Sequence, residues 1–209
     1  MIAQKFAKDL LLDPSTRGVG DIRHEIAAAA SSSSQSRADS FLKDIGAPSS
    51  AKAYGSYKEL VEDPNVDIIY VATPHSHHYQ NTRLCLENGK HVLCEKAFTV
   101  NAAQAKKLVE IARAKKLFLM EAVWTRYFPV CIELRELVKS GKIGDVKRVF
   151  ADLSDGGDTE AKWGVDHRMV RMELAGGCML DRTSLSILPR NLLPFHCLHR
   201  GCQMLTVQS

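Results

Sequence analysis

The first hydrophobic pattern along the chain has the spacing of an amphipathic helix. Apolar residues recur every three to four positions from residue 3 to residue 11, ahead of Pro14, and this period predicts a helix. Residues 24–30 predict a short apolar strand, and the serines that follow predict a polar turn. Residues 36–45 then predict a second helix, which Gly46 closes.

The same order of strand and helix recurs through the middle of the chain. Ser56 and Glu59 have the spacing of a capping box, which predicts a short helix. Further apolar runs predict strands at residues 66–72, 91–94 and 117–120, with helical patterns between them. Strands that alternate with helices imply parallel pairing, so we expect an α/β fold with a doubly wound parallel sheet.

The pattern changes after Pro129. A helix that ends at Gly141 is followed by residues 146–153, which alternate like a strand of an antiparallel sheet. We therefore expect an α/β domain over residues 1–125 and the start of an α+β domain over residues 126–181. Residues 182–209 show no sustained period and predict an irregular tail.

Composition narrows the classes of function. The 209 residues are 45% hydrophobic, which suffices for a core, and the net charge of +4 is spread along the chain. A nucleic-acid partner is not expected, because phosphate binding needs a concentrated basic face. Charges within the first dozen residues argue against a signal peptide or a membrane span, so a cytoplasmic location without membrane contact is the expectation.

The cysteines do not predict a disulfide framework or a metal site. None of the six forms a pair with the short spacing of a zinc knuckle, and we expect most of them to be buried apolar residues. The one crowded set of metal-ligand types has no second ligand pair, so no metal is expected there. That set consists of His196, Cys197, His199 and Cys202.

Charged and polar residues follow the predicted strands. The segment HVLCEKAFTV, residues 91–100, places Glu95 and Lys96 directly after an apolar run. In a doubly wound sheet the ligand crevice lies at the carboxyl ends of the strands. These two residues, with Thr73, Pro74, Glu121 and Trp124 after other strands, are therefore expected along one edge. A solvated turn is the alternative interpretation of the Glu-Lys pair.

The residues from "DPNVDIIYVATPHSHHYQ" through "GKHVLCEKAFTV" to "LFLMEAVWTRYFP" resemble the glucose-fructose oxidoreductase and inositol dehydrogenase superfamily. Within it, the chain is most similar to the dimeric dihydrodiol dehydrogenases and the NADP-dependent D-xylose dehydrogenases. The resemblance implies a Rossmann domain, an open antiparallel sheet that carries substrate and dimer contacts, and NADP-linked hydride transfer on a sugar or diol. It also implies that Lys96, in the position of the family's catalytic lysine, donates to the reacting oxygen, and that Asp181 matches the family's acid.

The resemblance also assigns cofactor and substrate residues. Glu95, Thr73, Pro74, His75 and His78 match family positions near the cofactor, although helix-start histidines near a cleft are an equal alternative. Ser31, Ser32 and Arg37 follow the second family strand without an acid, which favours NADP over NAD. Trp124, Arg126 and Tyr127 lie where the family places its substrate pocket, and ordinary packing is the alternative.

The chain departs from the family pattern at both ends. Met1 falls inside the helix that follows the family's first strand and glycine-rich turn, and Thr183 and Leu185 replace the later glycine and the proton-transfer Tyr or His. The expectation is a chain truncated at both ends, fragmentary or mis-spliced, with impaired activity. A noncatalytic nucleotide-binding or interaction remnant is the alternative function, and the sequence leaves a homodimer open.

Overall fold

The computed structural model describes residues 2–150, 152, 157 and 159–181, which fall into two compact units. Unit 1 contains residues 2–73, 78–94 and 102–120, and unit 2 contains residues 74–77, 95–101 and the described residues from 121 onward. The predicted tail, with Thr183, Leu185 and the His/Cys set at residues 196–202, lies outside the described residues.

The elements of the described chain are mostly short. The α-helices are α1 (Ile2–Leu10), α2 (Gln35–Ile45), α3 (Tyr57–Glu62), α4 (His75–Glu87), α5 (Ala102–Ala114), α6 (Pro129–Lys139), α7 (Thr159–Trp163) and α8 (Cys178–Asp181). The strands are β1 (Ala28–Ala30), β2 (Lys52–Tyr54), β3 (Ile68–Val71), β4 (His91–Glu95) and β5 (Leu119–Ala122). Turns of 3₁₀ helix cover Pro14–Arg17, Trp124–Tyr127 and Met172–Leu174. None of the helices in the described ranges has the length and apolar character that crossing a membrane requires.

The strands form two sheets. β1 pairs with β2 in parallel, and β3, β4 and β5 are hydrogen-bonded in that order, with β3 and β4 parallel. Helices connect successive strands along the chain, as parallel pairing requires. The predicted α/β class with parallel strands is confirmed.

Helix α1 packs against residues of both sheets within unit 1. Ala7 is buried with Leu42 and Ile45 of α2, and Ala29 of β1 packs against this cluster. On the neighbouring face, the ring of Phe6 stacks on that of Tyr70 in β3, with centroids 4.0 Å apart. The amphipathic pattern of the first helix therefore has an apolar partner on each side.

A buried carboxylate ties β2 to the turn before β3. Asp63, whose side chain is 2% exposed, accepts hydrogen bonds from Tyr54 Oη at 2.7 Å and Lys52 Nζ at 3.3 Å. The main-chain N–H and side-chain amide of Asn65 donate to its other oxygen at 2.9 and 3.0 Å. The Asn65 N–H, then the Tyr54 hydroxyl and the Lys52 ammonium, hold the pKa of Asp63 well below its usual value, against the effect of burial.

Three predictions of secondary structure need correction. β1 covers Ala28–Ala30 only, rather than residues 24–30, and β2 was not predicted, because three residues are too few to show an alternating pattern. Residues 146–150 are not a strand, and most of the remainder of that predicted strand lies outside the described residues. A strand needs a hydrogen-bonded neighbour, and the described ranges contain none for this segment.

Candidate functional site

The Lys96 ammonium lies against the end of α8 in unit 2. Lys96 directly follows β4, and its Nζ donates to Asp181 Oδ1 at 2.8 Å and to the Asp181 main-chain oxygen at 2.7 Å. The two side chains are 22% and 25% exposed, so the pair is largely shielded from water. An ammonium has three N–H donors, and within the described chain two of them are taken by Asp181. Among the described residues, the third donor has no hydrogen-bond partner.

Two carboxylates hold the turn that carries Lys96. Glu95 Oε2 accepts the main-chain N–H of Lys96 at 3.1 Å, and Glu121 Oε1 accepts that of Phe98 at 2.9 Å. Burial raises the pKa of Glu121, and the nearby Glu95 charge adds to the rise, while the Phe98 N–H and the Arg126 charge oppose it. The main chain on both sides of Lys96 is thus hydrogen-bonded.

A tight loop precedes α8, the helix that contains Asp181. The N–H of Gly176 donates to Arg171 O at 3.0 Å and the N–H of Gly177 donates to Met169 O at 2.8 Å, which folds the chain back before α8. A Cβ on Gly176 would lie 2.5 Å from Arg168 O, so only glycine fits at this position. The two glycines of the AGGCMLD segment therefore shape the approach to Asp181.

His75 joins this loop to the start of α4. Its Nδ1 lies 3.1 Å from the main-chain oxygen of Ala175, and the residue is 5% exposed. A carbonyl oxygen only accepts hydrogen bonds, so this contact requires the proton on Nδ1. The structure therefore brings His75 against the loop that precedes Asp181, both within unit 2.

His78 and Thr73 form a separate hydrogen-bonded group in unit 1. His78, which is fully buried, bonds through Nε2 to Thr73 O at 2.8 Å, and Asn81 donates to Thr73 Oγ1 at 3.2 Å. Pro74 O, in unit 2, accepts the N–H of His77 at 2.8 Å and closes the first turn after β3. The contacts of His78 and His77 satisfy the main-chain oxygens of Thr73 and Pro74, just ahead of α4.

The serines after β1 shape the start of α2. Ser31 and Ser33 hydroxyls lie 2.9 Å apart, and Ser34 caps the helix by accepting the N–H of Arg37 at 3.3 Å. Ser32 and Arg37 are exposed, in an acid-free turn. The turn therefore presents hydroxyl and guanidinium donors beside a helix N-terminus.

The predicted substrate residues lie on the 3₁₀ turn after β5. Trp124 and Tyr127 are 59% and 60% exposed, and Trp124 contacts Phe128 edge to face with ring centroids 5.6 Å apart. Arg126 is exposed, and its main-chain oxygen accepts from Arg135 Nη1 at 2.8 Å. Their roles in substrate binding stay a prediction.

The predicted site residues divide between the two units. Unit 1 holds Ser31, Ser32, Arg37, Thr73 and His78, and unit 2 holds Pro74, His75, Glu95, Lys96, Trp124, Arg126, Tyr127 and Asp181. Sequence reasoning placed Glu121 at a strand end but assigned it no role, and did not identify its bond to Phe98. The available signal was a carboxylate inside the apolar run LFLMEAVW.

Comparison with known proteins places these residues in a family. The sequence model of the "Oxidoreductase family, NAD-binding Rossmann fold" (Gfo/Idh/MocA) matches residues 2–123. The D-xylose 1-dehydrogenase (NADP(+)) of Hypocrea jecorina is 64% identical over 184 residues, which are 86% of this chain and 47% of that protein. The trans-1,2-dihydrobenzene-1,2-diol dehydrogenase of Xenopus tropicalis is 40% identical over 183 residues, which are 86% of this chain and 51% of that protein. The chain spans about half the length of these curated relatives.

A solved structure agrees at the level of the fold. Levoglucosan dehydrogenase in its apo form aligns with a TM-score of 0.73 at 17% identity, over 92% of this chain and 50% of that chain. The resemblance to the superfamily read from the sequence motifs is confirmed by the family match, which covers more than half of the chain. The protein therefore belongs to the Gfo/Idh/MocA oxidoreductase family, with its NAD-binding Rossmann fold.

Proposed function

We propose that this chain is part of an NADP-dependent oxidoreductase that transfers a hydride between nicotinamide and a carbon of D-xylose or of a trans-dihydrodiol. The observation that carries the proposal is the ion pair at the end of β4, where Lys96 Nζ lies 2.8 Å from Asp181 Oδ1. The substrates named for the relatives that are 64% and 40% identical supply the two candidate classes.

The turn between β1 and α2 fits the 2′-phosphate of NADP. Ser31 and Ser32 offer hydroxyl donors, Arg37 offers an exposed guanidinium, and residues 31–37 contain no carboxylate. An acid at this point would instead favour the ribose of NAD. When bound, NADP⁺ would accept the hydride from the substrate carbon on oxidation, and NADPH would return it in the reverse reduction of the carbonyl.

Lys96 acts on the substrate oxygen in this proposal. Negative charge develops on that oxygen as the carbonyl is reduced, and a positioned ammonium stabilises the charge and donates a proton. Asp181 holds the ammonium through two hydrogen bonds, at 2.7 and 2.8 Å, and so orients the third donor. Asp181 is therefore a positioning group for Lys96.

The experiment combines cofactor binding with turnover. NADPH is titrated into the purified chain while nicotinamide fluorescence is followed. Turnover is then measured in the oxidative direction, with NADP⁺ supplied as the hydride acceptor, as NADPH formed from D-xylose or from a trans-dihydrodiol. Lys96→Ala is expected to lower kcat by about 10² to 10⁴, the usual effect of losing a positioned proton donor. Lys107→Ala is the matched control, because that side chain is 56% exposed on α5. A Lys96→Ala variant with unchanged turnover would contradict the assignment.

The alternative is a noncatalytic nucleotide-binding or interaction protein. It is favoured by Leu185, which stands where the resemblance expects a proton-transferring Tyr or His. In that case NADPH binds saturably, but neither substrate is turned over.

A homodimer also stays a prediction, and sedimentation equilibrium of the purified chain measures its oligomeric state.

A further inference from the structure

The turn that carries Lys96 is hydrogen-bonded to a residue that is distant in the sequence. Glu121 in β5 accepts the N–H of Phe98 at 2.9 Å, across a sequence separation of 23 residues. Phe98 is two positions beyond Lys96, so this bond fixes the main chain on the side of the lysine that Glu95 does not hold. Within the described residues, Glu95 and Glu121 thus hold the two sides of the turn.

The position of Glu121 is energetically unfavourable for a carboxylate. It lies in a strand between Met120 and Ala122, and burial raises its pKa, an effect to which the Glu95 charge adds. The Phe98 N–H and the Arg126 charge oppose this rise. A buried carboxylate is tolerated when hydrogen bonds compensate for its lost hydration. Among the described contacts, the hydrogen bond that the Glu121 side chain accepts is donated by Phe98, in the turn of Lys96.

We propose that Glu121 is a positioning residue for Lys96, because its bond to Phe98 holds the turn that presents the ammonium to Asp181 and to the substrate oxygen. The catalytic part of this inference rests on the proposed function, whereas the positioning part concerns the folded chain alone. Glu121 touches neither the ammonium nor Asp181 in any described contact, so its effect passes through the main chain.

Three substitutions at Glu121 distinguish the role of its hydrogen-bond acceptor from the role of its negative charge. Glu121→Gln keeps an oxygen acceptor at the same distance, Glu121→Asp keeps the charge but withdraws it by one methylene, and Glu121→Ala removes both. If the bond to Phe98 matters, glutamine retains most of the positioning while aspartate and alanine lose it. Glu133→Ala, an exposed carboxylate on α6, is the matched control.

The first readout is independent of catalysis. The full chain is treated with acetic anhydride, and the labelling rate of each lysine is measured by mass spectrometry. A hydrogen bond to a charged group restrains local opening, so Glu121→Ala is expected to raise Lys96 labelling about tenfold or more, with Lys107 unchanged as an internal reference. In Glu121→Gln, the labelling rate of Lys96 is expected to rise by much less. Lys96 labelling at the wild-type rate in Glu121→Ala would overturn the proposal.

The second readout tests the catalytic consequence. In a chain that turns over substrate, Glu121→Ala is expected to lower kcat by more than it raises KM, because Lys96 acts in the transition state. An unchanged kcat in Glu121→Ala would overturn the catalytic part of the inference. Absence of turnover in the wild type would refute the proposed function, and the labelling of Lys96 would then still decide whether Glu121 positions the lysine. If Glu121→Ala does not melt cooperatively, Glu121→Asp decides by the same labelling criterion.

Discussion

Substitution of Gly176 by alanine tests whether the loop before α8 has the geometry on which the Asp181 position depends. The added Cβ would lie 2.5 Å from Arg168 O and 2.8 Å from Met169 O, whereas Cβ atoms essentially never come within 3.0 Å of such atoms. Main chain, not a flexible side chain, must therefore shift by at least about half an ångström. Overpacking of this kind costs about 1–3 kcal/mol.

That cost translates into a measurable change in local opening. The bonds from Gly176 N–H to Arg171 O and from Gly177 N–H to Met169 O close the loop, so both should open more often in the variant. A cost of about 1–3 kcal/mol lowers the hydrogen-exchange protection of these amides by about 5- to 150-fold. The expected secondary effect is faster labelling of Lys96, because Asp181 follows the loop.

The assay is amide hydrogen exchange on the variant, with Gly20→Ala as the control. A Cβ on Gly20 would meet no atom within 4 Å, and its φ angle does not require glycine. Gly20→Ala should therefore leave exchange in residues 168–181 unchanged. Wild-type protection of the loop amides in Gly176→Ala would refute the steric reasoning.

Two further predictions concern stability. Leu108→Ala removes a side chain that is 0% exposed, and is expected to lower the free energy of unfolding by about 2–5 kcal/mol, measured by urea denaturation against the exposed Val100→Ala. Asp63→Asn is expected to lower Tm near neutral pH, because the folded-state pKa of Asp63 lies below the ordinary value of 3.8. The stabilisation that the ionised Asp63 carboxylate contributes is fully present above pH 3.8, and it is lost as the pH falls through the lower folded-state pKa. The difference in Tm between wild type and variant should therefore shrink in acid, and a constant difference would contradict the assignment.

Local signals in the sequence predicted local structure well. The Ser56–Glu59 capping box is present with both reciprocal bonds, and Gly46 ends its helix with a φ angle of 70°. These features depend on residues within one or two turns of each other, so the sequence alone specifies them. The strands predicted from apolar runs at residues 66–72, 91–94 and 117–120 overlap the observed strands at residues 68–71, 91–95 and 119–122, with ends that differ by at most two residues.

Features that depend on distant partners were not predictable in detail. β2 is a strand because Ala53 pairs with Ala29, and nothing within residues 52–54 indicates this pairing. The bond between Glu121 and Phe98 joins β5 to the turn after β4, and the sequence does not specify that the Glu121 side chain points toward this turn. The motif resemblance named Lys96 and Asp181 individually, and the structure adds that one holds the other directly.

The Asp63 carboxylate has a consequence for how β2 aligns with β1. Lys52 and Tyr54 are two positions apart and therefore lie on the same face of the strand, from which both donate to Asp63. A slip of β2 by one residue would turn both donors to the opposite face and leave a buried carboxylate without them. The partner strand β1 consists of three alanines, so the packing of its side chains alone discriminates weakly against such a slip. The buried Asp63 carboxylate therefore raises the free energy of the slipped pairing of β2 with β1 relative to the observed pairing.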